Sequence, residues 1–137
     1  MTGIRRIDYY YASFPHRTGE GAKVANILKA AGVNLVALNG FPTSATRAQL
    51  DFVPSDPAAF CAAAEKAGIK LVGPKTAFLF QGRDRVGAVA DIIERLAKAR
   101  VNITALQAIA TGEGLFGAIL WVKPHSVGKA ARALGVD

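Results

Sequence analysis

Val33-Asn34-Leu35-Val36-Ala37-Leu38 returns as Val101-Asn102-Ile103-Thr104-Ala105-Leu106, an offset of 68 residues (33 to 101). The same offset carries Gly19 onto Gly87, Val24 onto Ile92 and Leu28 onto Leu96. Each copy therefore reads as a glycine, an amphipathic helix, and an apolar strand opening with Asn. A repeat of this period decides the fold, because each copy is one structural unit. Two copies of mixed helix and strand describe a duplicated α/β unit rather than a solenoid.

Working outward, Ile7-Asp8-Tyr9-Tyr10-Tyr11 is aromatic and β-branched and reads as a strand. Tyr9 and Tyr11 are expected in the core, with Tyr10 on the sheet surface. Thr18 is placed to cap a helix from about Gly19, and Gly32 ends it. Strand 34–39 follows, then a turn at Gly40-Phe41-Pro42-Thr43. Ala48, Leu50 and Phe52 alternate with polar residues, the period of a strand with one dry face. Ser55-Asp56-Pro57 starts a second helix. After Gly68, Ile69–Val72 is a short fourth strand, so the order is βαββαβ.

Gly73-Pro74 separates the copies, giving repeat 1 over residues 1–73 and repeat 2 over 74–137. In the second copy Thr76–Gln81 is a strand and Val86–Arg100 the longest helix, with i, i+4 pairs Asp91/Arg95 and Glu94/Lys98 outward. A hairpin crosses Gly112-Glu113-Gly114. Ser126 caps a last helix ending at Gly135. The second unit lacks most of its last strand, which leaves an open sheet edge. Phe78-Leu79-Phe80 and Ala118–Val122 have no polar face, so their sheet should be covered on both sides. The first copy or a second subunit can supply that cover, and a homodimer is expected.

Bulk properties narrow the function. A chain of 137 residues suits one domain or two very small ones that lean on each other. No apolar run approaches the ~20 residues of a membrane span, and no apolar segment follows the basic residues at the start to make a signal peptide. Cys61 is the single cysteine, which excludes an intrachain disulfide and fits a reducing cytoplasm. It lies among alanines, no nucleophile motif accompanies it, and no Cys/His cluster suggests zinc. Neither an enzyme nor a cofactor is expected. The net charge of +7 is scattered over both copies and reads as a solvated basic surface.

The tandem βαββαβ plan, the glycine opening the first helix and the Asn at the second strand resemble the ACT domain. Asp84-Arg85-Val86-Gly87, the helix after it and Val101-Asn102-Ile103 are similar to that family's core signature. The first copy keeps Gly19 and Val33-Asn34 but has His16 where the second has Asp84. The resemblance implies an α+β fold of two tandem ferredoxin-like βαββαβ units, antiparallel sheets with helices on one face. It also implies a stand-alone regulatory protein that binds an amino acid or similar small molecule near a domain or subunit interface, alone or on a partner enzyme.

The residues give that implication a chemistry. A helix N-terminus offers unpaired N–H groups and partial positive charge to a carboxylate. Gly19 or Gly87 lets a ligand approach the backbone. Asn34 or Asn102 can both donate and accept, and Asp84 can take an ammonium group. His16 and Arg17 can hold an anion. The candidate ligand residues are thus Asp84, Arg85, Val86, Gly87 and Asn102 in the second copy, and His16, Arg17, Gly19 and Asn34 in the first. Of the two, the Asp84–Gly87 loop keeps the family pattern and the first copy departs from it, and the sequence does not decide which copy binds. Each residue has a structural alternative: Asp84 as a helix cap, Asn102 as a turn residue, Gly87 as a packing glycine. Rival functions are an RNA-binding module of the same strand order, which Leu115–Trp121 fits poorly for want of a basic residue, and a ligand-free assembly module.

Overall fold

A computed structural model describes residues 3–137. The elements run β1 (Gly3–Pro15), α1 (Glu20–Ala30), β2 (Leu35–Pro42), β3 (Arg47–Pro54), α2 (Pro57–Lys66), β4 (Val72–Arg83), α3 (Ala88–Lys98), β5 (Ala105–Ala110), β6 (Leu115–Trp121) and α4 (Val127–Leu134). The chain forms two compact units, and their division departs from a cut at 73/74. Residues 8–75 make the first; residues 3–7 join 76–137 in the second. The two long strands β1 and β4 each serve both units.

This division supplies the strand that the second copy lacks. Within each unit the strand order is the same: β2-β3-β1-β4 in the first and β5-β6-β4-β1 in the second. The fourth strand of the second unit is the opening segment of the chain, whose Ile4 packs on that unit's core. Residues 69–71 are not strand, and β4 runs from Val72 through Gly73-Pro74 without a break. Gly73 lies so close to β1 that a Cβ there would stand 2.9 Å from the Tyr9 carbonyl oxygen.

In the first unit Tyr10, Ala12 and Phe52 pack with Val24 and Leu28 of α1 and Phe60 of α2. The Phe60 ring lies 5.4 Å from Tyr10 and 5.2 Å from Phe52, a favourable aromatic spacing. Tyr10 is thus the core tyrosine, while Tyr9 and Tyr11 are half-buried on the other face, opposite in phase to the sequence expectation. In the second unit Phe78, Phe80, Phe116, Ala118 and Leu120 pack under Ile92 and Leu96 of α3 and Leu134 of α4. The helices of each unit cover one sheet face.

The capping of α2 follows the sequence: Asp56 accepts from Ala59 N–H at 3.2 Å, with Pro57 first in the helix. Elsewhere the caps differ. No side-chain cap bond is made at the start of α1, α3 or α4, so Thr18, Asp84 and Ser126 do not act as caps. Helices α1 and α3 instead follow left-handed glycines, Gly19 (φ 93) and Gly87 (φ 86). Any side chain there would be strained, which explains why both copies carry glycine. Glu94 and Lys98 pair at 3.7 Å, whereas Arg95 turns from Asp91 to donate to Ala133 O at 3.2 Å.

On the doubly apolar strand β6, Ile119 and Trp121 are only 8% and 7% exposed in the single chain. Both faces are therefore covered without a second subunit, and that ground for a dimer is removed. The large exposed apolar residues include Leu115 at the start of β6, Val36, Leu38 and Phe41 on β2, and Ile109 on β5.

Candidate functional site

The first-copy loop opens into a cleft of about 270 Å³. Its geometry follows from the strand register. Strand β1 ends at Pro15 opposite Arg47, where β3 begins, and β2 ends at Pro42 opposite Ala48. The loop from β1 to α1 thus lies beside the β2–β3 turn. His16 N–H donates to Thr46 O at 2.8 Å and ties loop to turn. Ser44 Oγ accepts from the N–H groups of Thr46 and Arg47, which holds the turn itself.

Apolar side chains make the walls: Phe14 on β1, Phe41 and Pro42 on β2, and Ala48 and Leu50 on β3. His16, Arg17, Glu20 and the backbone of Gly21 form the polar rim. Gly21 lies in the first turn of α1, where amides lack intrahelical acceptors and the helix end carries partial positive charge. Arg17 and Glu20 are 3.8 Å apart, and the arginine side chain is 71% exposed. The Glu20 side chain is 23% exposed, and both groups border the cleft. Gly40 leaves room for Leu50: a Cβ there would stand 2.6 Å from Leu50 Cδ2.

The second-copy loop is arranged differently. Arg85 Nη2 pairs with Asp91 Oδ2 at 2.5 Å, and Nη1 donates to Val86 O at 3.2 Å. The guanidinium is thereby folded onto its own helix. The Val86 side chain is fully exposed, and Asp84 is held through its own N–H, which donates to Gly114 O at 2.9 Å.

The sequence candidates separate accordingly. His16 and Arg17 line the cleft, with Gly19 between them and α1. Asn34 does not join them within its unit. It follows α1, with its carbonyl accepting from Ser55 N–H at 3.0 Å at the far end of β2. Asn102 stands in the same relation to α3, across that helix from Asp84, Arg85, Val86 and Gly87. An 11-residue helix places its two ends about 16 Å apart. The glycine and the Asn of each copy belong to opposite ends of a helix, although they form one sequence signature. The residues that sequence reasoning missed are Phe14 and Pro15 of β1, Glu20 and Gly21 of α1, and those of β2 and β3, strands that meet the loop only through register.

Two tyrosines have shifted acidities. Burial, and then a hydrogen bond with the Cys61 thiol, push the Tyr10 hydroxyl up to about 12. Tyr9 is also raised, by burial first and then by the Asp51 carboxylate. Both lie outside the cleft lining. Among the described residues no group of three or more His, Cys, Asp or Glu is placed to hold a metal ion. No described helix is long and apolar enough to cross a membrane.

This architecture is the tandem ACT-type fold. Protein BT0572 from Bacteroides thetaiotaomicron is similar at a TM-score of 0.82 and 17% identity, over 96% of this chain and 88% of that one. The ligand-free regulatory subunit of aspartate kinase from Thermus thermophilus is similar at a TM-score of 0.66 and 19% identity, over 98% and 94%. The corresponding subunit from Thermus flavus gives 0.59 and 20%, over 98% and 94%. At these identities the likeness is one of fold. No protein-family model matches the sequence, and no curated protein matches it.

Proposed function

We propose that this protein is a non-catalytic regulator that binds a small zwitterion, an amino acid with an apolar side chain, in the first-copy cleft. The observation that carries this reading is the composition of that cleft. Arg17, Glu20 and the first turn of α1 together rim a space walled by Phe14, Phe41 and Leu50. The ligand carboxylate goes to the Gly21 end of α1 and Arg17, and its ammonium to Glu20. Its side chain lies on the apolar wall. A cleft of about 270 Å³ falls below the roughly 300–1,000 Å³ of sites for drug-sized ligands, which favours a small molecule.

Two further parts of the reading concern partners. The aspartate kinase regulatory subunits share this fold, and by that likeness the bound state acts on a partner enzyme. The chain forms a homodimer through the exposed apolar edge of β2, where Val36, Leu38 and Phe41 reach solvent. Its free, half-buried Cys61 suits a reducing cytoplasm.

Melting the protein with each amino acid in turn tests the reading. A ligand at 100 times its dissociation constant adds about 2.7 kcal/mol and raises Tm. If no amino acid raises Tm, the reading fails. A salt-sensitive shift with RNA instead would move the function to nucleic-acid binding. Light scattering that returns a monomer at micromolar concentration would remove the dimer.

A further inference from the structure

The 68-residue offset holds in the strand registers as well as in the sequence. Phe14 pairs with Ala48 as Gly82 pairs with Phe116, and Gly40 pairs with Leu50 as Ala108 pairs with Ala118. The cleft of the first unit can therefore be traced residue by residue in the second. One substitution is reciprocal: the aromatic ring moves from the first strand of the unit to the third. In the first unit Phe14 stands half-buried beside Phe52, and small Ala48 lines the cleft. In the second unit Gly82 is the small partner, and Phe116 is 7% exposed within the core. The helix changes in the same sense. Gly21, at the cleft rim, corresponds to Val89, which packs against the cluster containing Phe116. Glu20 corresponds to Ala88, which packs there too.

We infer that the two copies have divided their roles: Gly21 and Ala48 keep a ligand cleft open in the first, and Val89 and Phe116 fill the matching space in the second. This rests on the ligand-binding reading above and adds to it the residues that decide which copy binds. Ala48 also limits ligand size, since it lies where a large side chain occupies the other copy. The second copy is then a packed structural partner, despite its closer match to the family signature.

The full chain, methyl-labelled at leucine and alanine, is titrated by NMR with each amino acid in turn. Leu50 resonances are expected to shift while those of Ala118, its counterpart, stay fixed. Ala118 moving with Leu50, or alone, overturns the division and leaves ligand binding standing. In the Gly21→Val/Ala48→Phe double variant the affinity should fall about tenfold or more; unchanged affinity overturns the role of these two residues. If no resonance moves in the wild type, the ligand reading falls, and melting alone judges the packing difference. Ala48→Phe then holds or raises Tm because it fills open space, whereas Phe116→Ala lowers it. A fall of several degrees for Ala48→Phe overturns the inference with no ligand involved.

Discussion

The loops after β1 and β4 enter their helices through the same backbone device and finish in different surroundings. Gly19 and Gly87 share a left-handed φ, and both helices run 11 residues. Beyond that point one loop borders a cleft with an exposed arginine. The other folds its arginine onto Asp91 beside a filled core. The lesson is that duplication conserved what the backbone requires and released what the side chains line. Glycine recurs because a side chain in the left-handed turn would be strained. No such rule fixes Ala48 or Phe116, so packing there was free to diverge.

The largest test of this contrast is in the aromatic rings. Phe116→Ala removes a buried ring and should cost about 3–5 kcal/mol in denaturant unfolding. Phe14→Ala, at the half-buried wall of a cleft, should cost less than half of that. Equal losses would mean that both rings are core and the clefts are alike.

Next are the two arginines. If Arg17 meets a ligand carboxylate, Arg17→Ala should weaken amino-acid binding by about 1.5–3 kcal/mol in calorimetry. Arg85→Ala should leave binding unchanged and alter stability by less than about 0.5 kcal/mol. A larger binding loss for Arg85→Ala would reverse the assignment of the loops.

The helix ends give a smaller and cleaner comparison. Helix α1 is followed by Gly32 at φ 72, and the matching residue after α3 is Arg100 at φ 59. A side chain in this conformation costs about 1–2 kcal/mol. Arg100→Gly should recover about 1 kcal/mol or less, because glycine also loosens the unfolded chain. Gly32→Ala should lose about 1 kcal/mol. Thermal melts of both variants test the pair, and opposite signs are expected.

The last test uses pH. Tyr10 of the first copy corresponds to Phe78, which cannot ionise. The Tyr10 hydroxyl is raised from 10.0 to about 12, chiefly by burial. Its contribution is fully present below the unfolded value of 10.0 and is lost as pH rises through about 12, because the unfolded chain ionises first. Tyr10→Phe should therefore flatten the fall in stability over that window. An unchanged alkaline limb would assign the effect to other groups, among them the raised Tyr9.

Much of the fold was legible in local sequence. The repeat, the helices, the Asp56-Pro57 start and the Gly112-Glu113-Gly114 hairpin follow from periodicity, capping and turn chemistry, which act over a few residues. The phase of Tyr9 to Tyr11 was not legible, because three aromatic residues in a row carry no period-two signal. The candidate site was half legible. His16 and Arg17 lie on the loop that a sequence motif marks, but Leu50 and Gly40 reach it only through strand pairing.

The repeat with its glycine-led helices, a second copy short of its last strand, and a single unpaired cysteine were all determined by sequence. Tertiary structure alone decided that the chain's opening segment completes the second unit, since a strand's partner is fixed by edge availability and not by neighbours in sequence. It also decided which residues of β1, β2 and β3 border the first-copy cleft, because residues so far apart in the chain meet only through sheet register.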